Sequence, residues 1–95
     1  MPAYIILTRE STWDPAELAE YARKVPASRD GHTMTPRVRF GRFEMLEGAP
    51  IEGVVVFEFA TFDEAKAWFY SPAYQDAARH RRLGSANRAF IVEGI

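Results

Sequence analysis

Apolar and polar positions along this chain repeat with two periods, and the switches between them mark out strands and helices. "AYIILT", residues 3–8, is β-branched or aromatic at most positions and reads as a strand apolar on both faces. In "STWDPAELAEYARKV" the residues Leu18, Tyr21, Ala22 and Val25 recur every three or four positions, which predicts a helix with one buried stripe. Asp14 serves as its cap, Pro15 fits the first turn, Glu17 completes a capping box, and Trp13 is placed to staple onto Leu18. Pro26 predicts the helix end. Residues 27–36, "ASRDGHTMTP", are turn formers. "RVRFGRFEMLEG" alternates until Gly41 interrupts it, so a bent strand with a bulge or kink is expected there. "VVVFEFA", residues 54–60, is apolar almost throughout, as a central strand covered on both sides would be.

Thr61 opens the second helix with Glu64 three residues on, and Ala65, Trp68 and Phe69 share one face. Within "WFYSPAYQ" the helical pattern breaks, because Ser71 and Pro72 supply another cap and another first-turn proline. The reading is a second helix kinked at Pro72: one piece ends near Tyr70, and the next runs from Pro72 to about Arg82, with Gly84 closing it. "RAFIVEG", residues 88–94, is the last strand. The order βαββαβ predicts a ferredoxin-like α+β fold, a four-stranded antiparallel sheet with the helices on one face, as a single domain over residues 1–95.

Helices on one face leave the other bare. Yet Tyr4, Ile6, Val54, Val56, Phe90 and Val92 alternate with Ile5, Leu7, Val55, Phe57 and Ile91, so both faces are apolar. Covering four or five such side chains is worth on the order of several kcal/mol at roughly 25 cal/mol per Å². The simplest cover is a second copy about a two-fold axis, so a homodimer enclosing a cleft is expected.

Composition narrows the chemistry. Net charge is −1, and the arginines at 37, 39 and 42 carry no interleaved stacking motif, so no nucleic-acid partner is expected and a solvated strand face is the better reading. With no cysteine, disulfides, thiolate zinc sites and cysteine nucleophiles are excluded. Phosphate loops, HExxH and dinucleotide fingerprints are missing, so no cofactor and no metal are expected. "MPAYIILTRE" has no basic region and only a short apolar run; the expectation is a cytoplasmic protein with no membrane partner.

Glu58 is the candidate catalytic residue, because it interrupts an apolar strand on the face of Val54 and Val56. A buried carboxylate is either ion-paired, the structural alternative, or carries the raised pKa of a general acid or base. Candidate ligand contacts are Tyr74 and Tyr70, whose hydroxyls can face a cleft, and His32 in the polar loop; Arg81, whose guanidinium suits an anion, joins them only through a family resemblance. The structural alternatives are core packing for the tyrosines, pairing of Arg81 with Glu58 or Glu93, and a solvated surface imidazole for His32.

"VVVFEFATFDEAKAWFYSPAYQDAARHRR" followed by "RAFIVEG" resembles the family called domain of unknown function 1330, of the dimeric α+β-barrel superfamily. The resemblance rests on Glu58, Phe59, Ala65, Phe69, Ser71, Pro72, Tyr74, Arg81 and the terminal Val92, Glu93 and Gly94, and "MLEG" at 45–48 fits as well. It covers residues 38–95 well and residues 1–26 in outline. The family's paired glycines are replaced by "GHTMTP", and its asparagine after the helix aromatic is Tyr70 here. The resemblance implies a dimer with abutting or swapped sheets, and the expectation is a small apolar or aromatic-acid ligand in a cleft beside the sheet. The resemblance also implies cofactor-free isomerase, decarboxylase or monooxygenase-like chemistry, the alternative being a non-catalytic dimeric module.

Overall fold

The structure is a computed structural model describing residues 1–95. Strand β1 (Ala3–Thr12) leads to helix α1 (Pro15–Ser28), then β2 (Thr35–Arg39), β3 (Gly53–Phe59), α2 (Phe62–Phe69), α3 (Pro72–Gly84) and β4 (Ser85–Glu93). All strand pairs are antiparallel, in the order β2-β3-β1-β4. This is the ferredoxin-like arrangement expected from the alternation of periods.

Register explains the two faces. Ala3, Ile5 and Leu7 lie opposite Phe59, Phe57 and Val55, and these six form the buried face with Trp68, Tyr74, Ala65 and Ala78 above them. Tyr4, Ile6 and Thr8 lie opposite Glu58, Val56 and Val54, and β4 adds Val92 and Phe90 to that second face. Val38 of β2 joins it beside Val56. Every one of these apolar groups is half-buried or exposed, and no helix covers them. The bare apolar sheet face expected from the sequence is present.

Local chemistry sets the helices. Asp14 accepts a hydrogen bond from the Ala16 amide, Thr61 from Glu64 and Ser71 from Tyr74, so all three helices start on the predicted side-chain caps. Where the sequence suggested one helix in two pieces, there are two helices, and Pro72 opens the second of them. Gln75 Nε2 donates to the Phe69 carbonyl across the break.

Several expectations are corrected. Pro26 does not end α1, which continues to Ser28. Ser28 is buried; its hydroxyl donates to the Val25 carbonyl and receives the Trp68 indole N–H at 3.3 Å, and this tertiary tether outweighs the local cost of the proline. Trp13 is exposed and does not staple onto Leu18. The Trp13 and Asp14 amides both donate to the Gly84 carbonyl, which turns the indole outward to donate to Leu83 O at 2.7 Å. Glu17 reaches His80 Nδ1 at 2.6 Å instead of closing a capping box. The long bent strand after residue 36 stops at Arg39, because β3 runs out: the Phe40 amide still donates to Val54 O, and Gly53 is the first residue of β3. The irregularity falls between Pro36 and Val38 rather than at Gly41. β1 and β4 are longer than expected because Thr12 still pairs with Ser85. No helix is long and apolar enough to cross a membrane.

Candidate functional site

Helix α1 packs chiefly against α3, with Tyr21 and Val25 resting against the core cluster. An ion pair between Lys24 and Asp76 and a hydrogen bond between His80 and Glu17 fasten it sideways, and Gly84 allows the close approach: a Cβ there would stand 2.7 Å from the Asp14 carbonyl oxygen. Its apolar stripe of Leu18, Tyr21 and Val25 is therefore only half-buried. Beneath it lies a cavity of about 400 Å³, floored by Leu7, Val55 and Phe57 and roofed by α1. That volume suits a small organic ligand.

Four arginines line this cavity, Arg9, Arg29, Arg39 and Arg81, and no carboxylate does. Arg9 reaches Glu52 at 3.2 Å, whereas Arg29, Arg39 and Arg81 take part in no ion pair. Arg81 is the one held deepest. It is buried within α3, its Nε has no hydrogen-bond partner, and its guanidinium carbon lies 5.8 Å from the Tyr21 ring centroid. Register places Arg9 beside Asn87, another lining residue. A buried guanidinium without an anion is costly, and its planar fork is suited to take a carboxylate.

Tyr21 supplies the remaining polar atom. Its hydroxyl lies 2.9 Å from that of Tyr74, and the two share one hydrogen bond. One hydroxyl proton of the pair is therefore left to donate elsewhere. Burial pushes the Tyr21 phenol well above its ordinary range, with Tyr74 adding to the shift and Arg81 opposing it. Tyr21 is thus a neutral donor at any physiological pH.

The sequence candidates divide between places. Arg81 lines the cavity, and Tyr74, fully buried and stacked at 4.0 Å on Trp68, reaches it only through Tyr21. Glu58 is on the other side of the sheet, its neighbours Phe57 and Phe59 pointing to the core. It is half-buried and paired with Arg37 at 2.9 Å, so within one chain it converges with neither Tyr74 nor Arg81. The expected pairing of Arg81 with Glu58 or Glu93 is absent. Tyr70 is exposed at the end of α2 and lines a separate cleft of about 280 Å³ beside β4 with Phe62 and Lys66. His32 is half-buried just after α1, held by its amide to the Arg29 carbonyl, and lines neither space. Arg39, expected on a solvated face, lines the cavity, as do Arg9, Tyr21 and Asn87. The period-two position of Arg39 opposite Val55 was the available signal. No group of histidine, aspartate and glutamate side chains is arranged to hold a metal ion.

A family model described as "Domain of unknown function (DUF1330)" matches residues 2–95. No curated protein matches. Among solved structures, a protein of unknown function from Rhodopseudomonas palustris is similar at TM-score 0.73 and 19% identity, covering 99% of this chain and 82% of that one. A dimeric ferredoxin-like protein of unknown function from Jannaschia sp. CCS1 reaches TM-score 0.72 at 13% identity, covering 99% and 100%. SnoaB, a cofactor-independent oxygenase from Streptomyces nogalater, reaches 0.59 at 12% identity, covering 99% and 91%. At these identities the likeness concerns the fold.

Proposed function

This chain belongs to the DUF1330 family, and we propose that it acts as a homodimer binding a small organic acid with an apolar or aromatic body in the cavity beneath α1. The observation that carries the reading is Arg81, buried, without an ion pair and with an orphan Nε, in a cavity lined by four arginines and no carboxylate. Arg81 anchors the ligand's anion, the Tyr21 hydroxyl donates to a neighbouring oxygen, and Leu7, Val55 and Phe57 receive the apolar body. Cofactor-free proton chemistry is compatible with this arrangement, the Tyr21–Tyr74 pair being its proton carrier, and the fold-level likeness to a cofactor-independent oxygenase supports that class. Glu58 serves its ion pair with Arg37 instead. The bare face of Ile6, Val38, Val56, Phe90 and Val92 supports the dimer, as does the description of the Jannaschia protein as dimeric.

Thermal melting with benzoate, 2-naphthoate and their uncharged amides tests the ligand class. The acids raise the melting point and the amides do not; at a hundred times the Kd the stabilisation is about 2.7 kcal/mol. Arg81→Gln removes the rise. Equal binding of acid and amide, or an undiminished response in the variant, overturns the acid site and leaves a dimeric interaction module. Sedimentation at low concentration tests the dimer separately, with a stable single copy the adverse result.

A further inference from the structure

Phe40 is the one non-glycine residue with positive φ, at 52°. A bulky aromatic pays for that conformation, and deep burial does not compensate, since the residue stays 51% exposed. Other contacts hold it. Its amide donates to the Val54 carbonyl at 2.9 Å, just beyond the last residue of β2. Its ring sits against Gly53, where a Cβ would come within 2.5 Å of Phe40 Cδ1. The Arg9 guanidinium stands 4.7 Å from the ring centroid. Together these fix a half-exposed aromatic ring in the lining of the arginine-rich cavity.

We infer that Phe40, seated on Gly53 and stacked with Arg9, is the specificity-determining wall of the cavity mouth, and that it limits the width of the acid's apolar body. This rests on the acid-site reading above. Arg81 of α3 and Phe40 beyond β2 line the same cavity, so an acid anchored at Arg81 has Phe40 among the walls that its body meets. Gly53 matters because any side chain there displaces the ring. Arg9 matters because its cation stands over the ring face while Glu52 Oε1, 3.2 Å from its Nε, holds it there.

The test is a width series of aryl carboxylates, namely benzoate, 2-naphthoate and 9-anthracenecarboxylate, titrated calorimetrically into the wild-type protein, Phe40→Ala, Phe40→Leu and Gly53→Ala. The ratio of affinities for the anthracene acid and benzoate is expected to rise at least tenfold in Phe40→Ala and by less in Gly53→Ala. Phe40→Leu keeps it near the wild-type value. Binding of the wide acid to Phe40→Ala alone also supports the inference. A ratio unchanged within twofold in both alanine variants overturns it; if benzoate binding still depends on Arg81, the cavity reading survives that failure. Binding of no acid by any of the four proteins overturns both. Far-UV circular dichroism confirms that the variants fold, which the exposure of Phe40 favours.

Discussion

The two halves of the layer between helices and sheet are built on opposite principles. Under α2, Trp68 has no exposed surface and packs edge-on to Phe57 at 5.5 Å and tilted against Phe59 at 5.7 Å. Under α1, the same sheet face meets a void of about 400 Å³ rimmed by guanidinium groups. One half has close-packed aromatics and no charge; the other keeps apolar stripe residues half-covered and buries an unpaired cation. Close packing and open space are thus assigned to different parts of one core, and under the proposed function the open part is the one that binds.

The largest expected effect that sharpens this contrast is in the filled half. Trp68→Ala should cost about 3–5 kcal/mol, read from the urea midpoint, because the indole leaves a cavity and its hydrogen bond to Ser28 is lost. Val25→Ala, over the void, should cost under about 1.5 kcal/mol; equal losses would erase the distinction. Next, Gly84→Ala drives a methyl group into the Asp14 carbonyl and should cost about 1–3 kcal/mol while spreading α1 from α3.

A smaller effect concerns pH. The Tyr21 phenol is raised above its ordinary value of 10.0, mainly by burial, so above about pH 10 the unfolded chain loses this proton while the folded chain keeps it. Stability from this group is therefore full below pH 10 and falls above it, at most about 1.4 kcal/mol per pH unit. Tyr21→Phe should remove that share of the alkaline loss in denaturant titrations between pH 9 and 11. An unchanged alkaline slope would show that Tyr21 is wetter than its position under α1 indicates. The smallest effect is Arg81→Met, which abolishes acid binding yet leaves stability unchanged or raised by up to about 1 kcal/mol, because an unpaired buried charge is replaced by an apolar chain. A loss of several kcal/mol would mean that Arg81 holds the fold rather than a ligand.

Much of the filled half was legible in the sequence. The caps at Thr61 and Ser71, the alternation of Ile5 and Leu7 with Tyr4 and Ile6, and the apolar run of β3 are local signals, and local signals dictated the local structure. The void was not legible. It arises because α1 is fastened to α3 by Gly84, Glu17 and Lys24, and nothing in "ELAEYARKV" distinguishes a helix lying on a sheet from one standing off it. For that reason Arg39 read as a solvated strand residue and Glu58 as the site's acid, although register puts them on the opposite faces from those roles. Arg81 and Tyr74 were picked out through the family resemblance, and of the candidates only Arg81 lines the cavity directly.

Helix α1 is moored at each end: its start hangs from the Gly84 carbonyl, and its last residue, Ser28, is tied to the Trp68 indole. It spans the gap like a beam on two piers. A beam so supported resists sagging onto the sheet, so the hollow beneath it belongs to the fold itself. For the proposed acid, little affinity would then go into reshaping the host.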